Sequence, residues 1–210
     1  GEIILLTAFL FPGQGSQKVS MGYDLYKHTD IGKKYFDLAN DIMACDIKNI
    51  VFNGPDDKLK ETKFTQPAIY IVSVIIGKIL IDRGLVPAMV AGHSLGEYSA
   101  CTISGSFSFE NGLSLVKLRA ENMQIAGKTN PGTMAAIIGM SFEDIQHICV
   151  NASKEDSVVV PANHNSPNQI VISGNISAVK NAMEHARESG ARLVKELNVS
   201  GAFHSPLMKS

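Results

Sequence analysis

With 210 residues, 45% of them hydrophobic, the chain can bury one or two domain cores and is too apolar for a disordered tail. Its formal net charge of -1 provides no basic field, which excludes nucleic-acid binding driven by bulk electrostatics. The three cysteines, Cys45, Cys101 and Cys149, stand far apart and outside any Cys-x-x-Cys pattern, so neither a disulfide framework nor a thiolate metal cage is expected and a reducing cytoplasm fits. The six histidines include no His-Glu-x-x-His pattern, so no metal site is expected.

Residues 3–11 are a continuous apolar run closed by Pro12-Gly13, the pattern of a strand buried on both faces. No basic start or small-residue cleavage site marks this run as a signal peptide. Helical patterning follows over residues 22–28, 32–43, 47–52 and 66–83, the last stopped by Gly84. The apolar stretch 69–80 is shorter than the roughly 18 residues a bilayer span needs, and Gly77 and Lys78 interrupt it, so a core helix is expected and no membrane. Residues 88–92 then read as a short buried strand, 95–103 as a helix, and 109–126 as a helix ended by Gly127. This first part is α/β, with helices flanking a parallel sheet.

After residues 128–132 the rhythm changes. A strand over 133–140, a helix over 142–151, strands over 157–162 and 169–173 separated by residues 163–168, a helix over 177–189 and a strand over 192–199 follow in turn. That β-α-β-β-α-β order predicts a compact ferredoxin-like subdomain. No finished element is expected after His204, and there is no internal repeat.

Gly92-His93-Ser94-Leu95-Gly96 lies between a strand and a helix, the context of a nucleophile elbow, where a serine Oγ is pushed into the open near a helix N-terminus. The plainer alternative is a serine capping the helix that begins near Leu95. A nucleophilic serine needs a base. His93 is adjacent, but neighbouring side chains on such a turn diverge, and it is expected to pack beneath the elbow. His204, in a Gly/Pro-bounded loop after a strand, falls where a catalytic histidine follows the serine in chain order; the alternative is a solvated loop histidine. No acid occupies a comparable loop between them, so a Ser-His dyad is expected, with the imidazole oriented by a carbonyl or amide.

Two glycines flank Gln14 in Phe11-Pro12-Gly13-Gln14-Gly15-Ser16-Gln17, which lacks the Gly-Lys-Ser/Thr of a phosphate loop. The backbone N–H groups of Gln14 and Leu95 suit an oxyanion hole, unless the glycines serve only a tight turn. Arg119 shares a row with Leu115 and Met123 at i, i+4 spacing and leans toward the apolar side of its helix. A guanidinium there suits a carboxylate held in bidentate fashion, or else an internal salt bridge or a snorkelling stem.

Taken together, Phe-Pro-Gly-Gln-Gly-Ser-Gln (11–17), Thr-Gln-Pro-Ala (65–68), Gly-His-Ser-Leu-Gly-Glu-Tyr (92–98), Arg-Ala-Glu-Asn-Met-Gln (119–124), Asn-Ser-Pro-Asn-Gln-Ile-Val-Ile-Ser-Gly (165–174) and Gly-Ala-Phe-His-Ser-Pro-Leu-Met (201–208) resemble the malonyl-CoA:acyl carrier protein transacylases and related acyltransferase domains of fatty-acid and polyketide synthases. The resemblance implies a hydrolase-like α/β body (residues 1–128 and 199–210) with an inserted ferredoxin-like subdomain (129–198). It implies Ser94 as nucleophile, His204 as base, Gln14 and Leu95 as oxyanion donors, and Arg119 as the clamp for the free malonyl carboxylate. Gln66 would line the pocket, and Leu95 with Phe203 matches the malonyl-preferring form.

The partners so implied are malonyl-CoA, as substrate, and an acyl carrier protein, with no cofactor, in cytoplasmic fatty-acid biosynthesis. A polyketide-synthase acyltransferase domain and a serine hydrolase or thioesterase on the same elbow are the alternatives. Family members continue for about half a domain beyond the histidine, so a longer chain is expected; Gly1 in place of a methionine points the same way.

Overall fold

The computed structural model describes residues 6–209, which form two compact units divided between Glu121 and Asn122.

In the first unit, β1 (Ala8–Phe11) and β2 (Met89–Gly92) pair in parallel, with Ala8 opposite Met89 and Phe11 opposite Gly92. A parallel pair needs a long crossover. Here it contains α1 (Tyr23–His28), α2 (Asp30–Met43), α3 (Ile47–Asn53), α4 (Asp56–Leu59) and α5 (Thr62–Asp82). α6 (Gly96–Ile103) and α7 (Phe109–Thr129) follow β2, and α7 passes into the second unit.

The expected first strand is shorter and buried on one face only: Phe9 and Phe11 are in the core, whereas Leu10 is exposed. The described part of this sheet has two strands, and Leu10 and Met89 are exposed on the face opposite Phe9 and Phe11. Residues 3–5 of the expected strand lie outside the described residues.

α5 is the centre of the first core. Its run Ala68, Ile69, Tyr70, Ile71, Val74 and Ile75 is buried among Phe36, Ile47, Val51, Leu95, Leu113 and Val116. By length and composition α5 could cross a membrane, but most of it is buried in this core. The helix starts a turn earlier than the expected residue 66, because the Glu61 carbonyl accepts the N–H groups of Phe64 and Thr65, both at 2.8 Å. α4 escapes periodicity analysis because it has only four residues after Pro55.

The buried Tyr70 ties three helices together. Its hydroxyl is 2.8 Å from Thr102 Oγ1 and donates to the Phe109 carbonyl at 3.1 Å. A buried tyrosine must place its O–H on a partner, and here that requirement fixes α5 against α6 and the start of α7.

The second unit contains β3 (Thr133–Ile138), α8 (Phe142–Ala152), β4 (Val159–Ser166), β5 (Gln169–Gly174), α9 (Ile176–Glu188) and β6 (Leu193–Glu196). The sheet order is β4-β5-β3-β6 and every neighbouring pair is antiparallel. Strand alternation sorts its residues. Ala135, Ile137, Ile170 and Ile172 meet Ile145, Cys149, Val179 and Ala182 of the two helices, whereas Met134, Ala136 and Val171 form a second cluster with Phe203.

β4 runs past its expected end to Ser166, because bulges between Pro161 and Asn163 and between His164 and Ser166 let this polar segment stay paired with β5. β6 is shorter than expected, at Leu193–Glu196. After His204 a 3₁₀ turn, Pro206–Met208, closes the described chain, where no element was expected.

Candidate active site

β1 and β2 are parallel and in register, so the turns that follow them leave the same edge of the sheet. The His93 N–H donates to the Phe11 carbonyl at 3.0 Å, extending the pairing by one residue into the turn. The glycines on either side of Ser94 are required by closeness. A Cβ on Gly92 would strike the backbone of Gly96 and Glu97, and one on Gly96 would strike the Phe11 carbonyl.

Between them Ser94 takes φ +52, a left-handed conformation that costs a non-glycine residue on the order of 1–3 kcal/mol. α6 begins at Gly96 with Leu95 as its N-cap and no side-chain capping bond. The Ser94 hydroxyl instead accepts a hydrogen bond from Arg119 Nη2 at 3.0 Å.

Arg119 reaches Ser94 from α7, where Leu113, Val116 and Ala120 form the buried stripe and the half-buried Arg119 flanks it. Leu115, expected on the inward row, is exposed, because the buried stripe follows i, i+3, i+7 spacing on the other side of Arg119. Arg119 Nη1 donates to Oε1 of the buried Gln66 at 2.6 Å. Gln66 projects from the first turns of α5, so α5, α6 and α7, which the Tyr70 hydroxyl joins, each contribute to one cluster.

The guanidinium lies 5.8 Å from the centre of the Tyr98 ring, within cation–π range. Burial pulls Arg119 below the ordinary arginine range, partly opposed by Tyr98 and Glu97. It remains a cation, because arginine starts so far above neutral pH. None of the ion pairs among the described residues involves Arg119.

Among the described residues, no backbone carbonyl takes up the N–H of Gln14 or of Leu95, while the Gly15 N–H turns to Gln17 Oε1 at 2.8 Å. His93 is exposed, not packed beneath the turn, because it continues the alternation that leaves Met89 and Ala91 open along β2. Ser94, Arg119 and Gln66 are thus brought together within the first unit.

His204 and Phe203 lie in the second unit. His204 is exposed, with φ +58, between the buried Phe203 and Ser205. Phe203 is 5% exposed and packs with Met134, Ala136 and Val171.

Two contributors to the cluster escaped sequence reasoning. Tyr98 lies one helical turn after Ser94, a spacing that returns it to the same side, and Tyr70 places a hydroxyl inside the apolar run 69–80, where it needs a structural partner.

Comparison with known proteins gives a consistent pattern. Residues 8–210 match the family model described as "Acyl transferase domain". The malonyl CoA-acyl carrier protein transacylase of Bacillus subtilis (strain 168) is 41% identical over 96% of this chain and 64% of its own length. The structure of the malonyl CoA-acyl carrier protein transacylase from Coxiella burnetii superposes with a TM-score of 0.93 at 40% identity, covering 99% of this chain and 66% of that one. A malonyl-transacylase solved in complex with its type II PKS acyl-carrier protein superposes with a TM-score of 0.92 at 38% identity, over 97% of this chain and 66% of that one. The chain therefore spans about two thirds of the length of the relatives it matches, 64% for the Bacillus subtilis protein.

Proposed function

The chain belongs to the acyl transferase domain family, and from that premise we propose that it moves a malonyl group from malonyl-CoA to the phosphopantetheine thiol of an acyl carrier protein through a malonyl-serine at Ser94. The observation that carries this reading is the cation on the hydroxyl: Arg119 Nη2 bonded to Ser94 Oγ at 3.0 Å, with Gln66 holding Nη1. A water-using hydrolase has no need of a fixed guanidinium beside its nucleophile. An acyl group that ends in a carboxylate does, because the planar fork of arginine matches a carboxylate at two points.

In this reading His204, paired with Ser94 on the family resemblance, takes the hydroxyl proton as Oγ attacks the thioester carbon. The tetrahedral oxyanion is held by the N–H groups of Gln14 and Leu95, each such donor contributing about 3 kcal/mol to the transition state. The C–S bond breaks, coenzyme A leaves with the proton, and the carrier thiol attacks the acyl-serine in the reverse sense, which gives ping-pong kinetics. A thioester is already activated, so the reaction calls for no metal or redox cofactor. Phe203 would act through packing behind His204.

We assign residues 1–128 and 199–210 to a hydrolase-like body, supported by the parallel β1–β2 pair and the Ser94 turn. Residues 129–198 are assigned to a ferredoxin-like subdomain, supported by the β4-β5-β3-β6 order with α8 and α9 on one face. Cytoplasmic fatty-acid biosynthesis is the setting proposed, and exposed Lys33, Lys34 and Lys195 are the cations proposed to meet an acidic carrier protein.

The test is the intact mass of the protein after brief exposure to malonyl-CoA, beside Ser94→Ala and with acetyl-CoA as the control donor. A malonyl adduct on the wild type only, favoured over acetyl, is expected. Free malonate accumulating without carrier protein would replace this reading with a hydrolase.

A further inference from the structure

His204 has a left-handed backbone conformation that an L-residue resists, and its side chain is exposed. Something must therefore hold the turn. The next residue provides two hydrogen bonds. Ser205 is 8% exposed; its hydroxyl donates to the Ala202 carbonyl at 2.6 Å and accepts the Leu207 N–H at 3.2 Å. One side chain thus ties together the residues on both sides of His204.

The far end is fastened as well, because Asn130 Nδ2 donates to the Leu207 carbonyl at 3.1 Å. Gly132 lies so close to Ala202 and Leu207 that a Cβ there would sit 2.6 Å from the Ala202 Cβ and 2.9 Å from Leu207 Cδ2.

We propose that Ser205 is a positioning residue for His204: its hydroxyl holds the left-handed turn and thereby aims the imidazole used as base. This rests on the reading of His204 as the base for Ser94. Without the hydroxyl, the Ala202 carbonyl and the Leu207 N–H lose their partner, and the backbone at His204 relaxes toward the ordinary φ < 0 regions. The imidazole swings with it. A misplacement of about 1 Å costs up to 10²-fold in rate.

The experiment compares the wild type, Ser205→Ala and Ser205→Thr in the protein expressed from its full reading frame. Two rates are read: labelling of Ser94 by a fluorophosphonate, which needs an activated serine but no malonyl recognition, and formation of the malonyl adduct. Ser205→Ala is expected to slow both by at least about tenfold, leave the half-saturating malonyl-CoA concentration unchanged and alter the pH profile of labelling. Ser205→Thr, which keeps the hydroxyl, is expected to restore the rate. If Ser205→Ala does not fold, Ser205→Cys, nearly isosteric with a weak donor, takes its place.

Wild-type labelling rates in the alanine or cysteine variant overturn the proposal, as does a threonine variant as slow as alanine, or a wild-type Ser94 inert to both reagents. Fluorophosphonate labelling that depends on Ser205 in a protein that takes no malonyl would uphold the positioning role and sink the malonyl reading. Malonyl transfer indifferent to Ser205 would do the reverse.

Discussion

Arg119 donates to Ser94 Oγ at 3.0 Å from one arm of its guanidinium while the other arm is fixed at 2.6 Å on Gln66. The cation is therefore held in place by the protein's own side chains. Replacing Arg119 by alanine is expected to lower malonyl transfer by about 10²-fold or more, the equivalent of about 3 kcal/mol of charge-assisted hydrogen bonding. Acetyl transfer should fall by less than about tenfold, because acetyl has no carboxylate to lose. Arg119→Lys should not restore malonyl transfer, since a point charge lacks the second donor. Comparing kcat/KM for the two donors decides the matter, and an equal loss for both would mean that Arg119 acts on Ser94 alone.

Gln66 offers a charge test of the proposed clamp. In Gln66→Glu a carboxylate would stand where Oε1 now accepts from Arg119 Nη1, raising the arginine back toward its ordinary range and satisfying the fork from within. The KM for malonyl-CoA should rise by about tenfold, on the order of one lost charge-assisted hydrogen bond. The value for acetyl-CoA should change little. Initial rates over a range of each donor check this.

Tyr70→Phe removes one oxygen from the junction of three helices. It leaves Thr102 Oγ1 and the Phe109 carbonyl without that partner in a buried setting, at a cost of about 1–3 kcal/mol. Urea denaturation should show a lower midpoint with an unchanged slope. Because the same hydroxyl holds α5, α6 and α7 in place, malonyl transfer should fall as well. A stability loss with full activity would show that the cluster does not depend on this junction.

Lys48 gives the first unit a pH signature. Its ammonium is 2.6 Å from Asp37 Oδ1 and 3.0 Å from the Tyr26 hydroxyl, and these bonds push it up from 10.5 to about 12. The folded chain holds this proton more tightly than the unfolded chain does. The stabilisation is thus complete below pH 10.5 and fades as pH climbs through about 12. Partial exposure of both partners limits it to about 1 kcal/mol or less. Lys48→Met should lower Tm slightly at pH 8, and the gap between variant and wild type should close at the alkaline end of a pH series.

By itself, the sequence determined the order of the main elements and named the candidates for the reactive groups. Both are written in local patterns. Gly92-x-Ser94-x-Gly96 between a strand and a helix is a statement about a turn, and the β-α-β-β-α-β order is a statement about periodicity, neither of which needs long-range information. Residue type made Arg119 a candidate carboxylate ligand, with an internal salt bridge or a snorkelling stem as the alternatives.

Tertiary structure decided which neighbours each group met. Arg119 meets Gln66 across 53 positions of sequence and Ser94 across 25, distances over which no local pattern carries information. The Tyr70 junction, the exposure of His93 and Leu10, and the Ser205 hydroxyl fastening its turn all depend on packing and on backbone hydrogen bonds that close only when distant segments meet. The continuation of β4 through polar residues has the same cause: pairing with β5 satisfies its backbone groups, and that pairing outweighs the composition that reads as a loop.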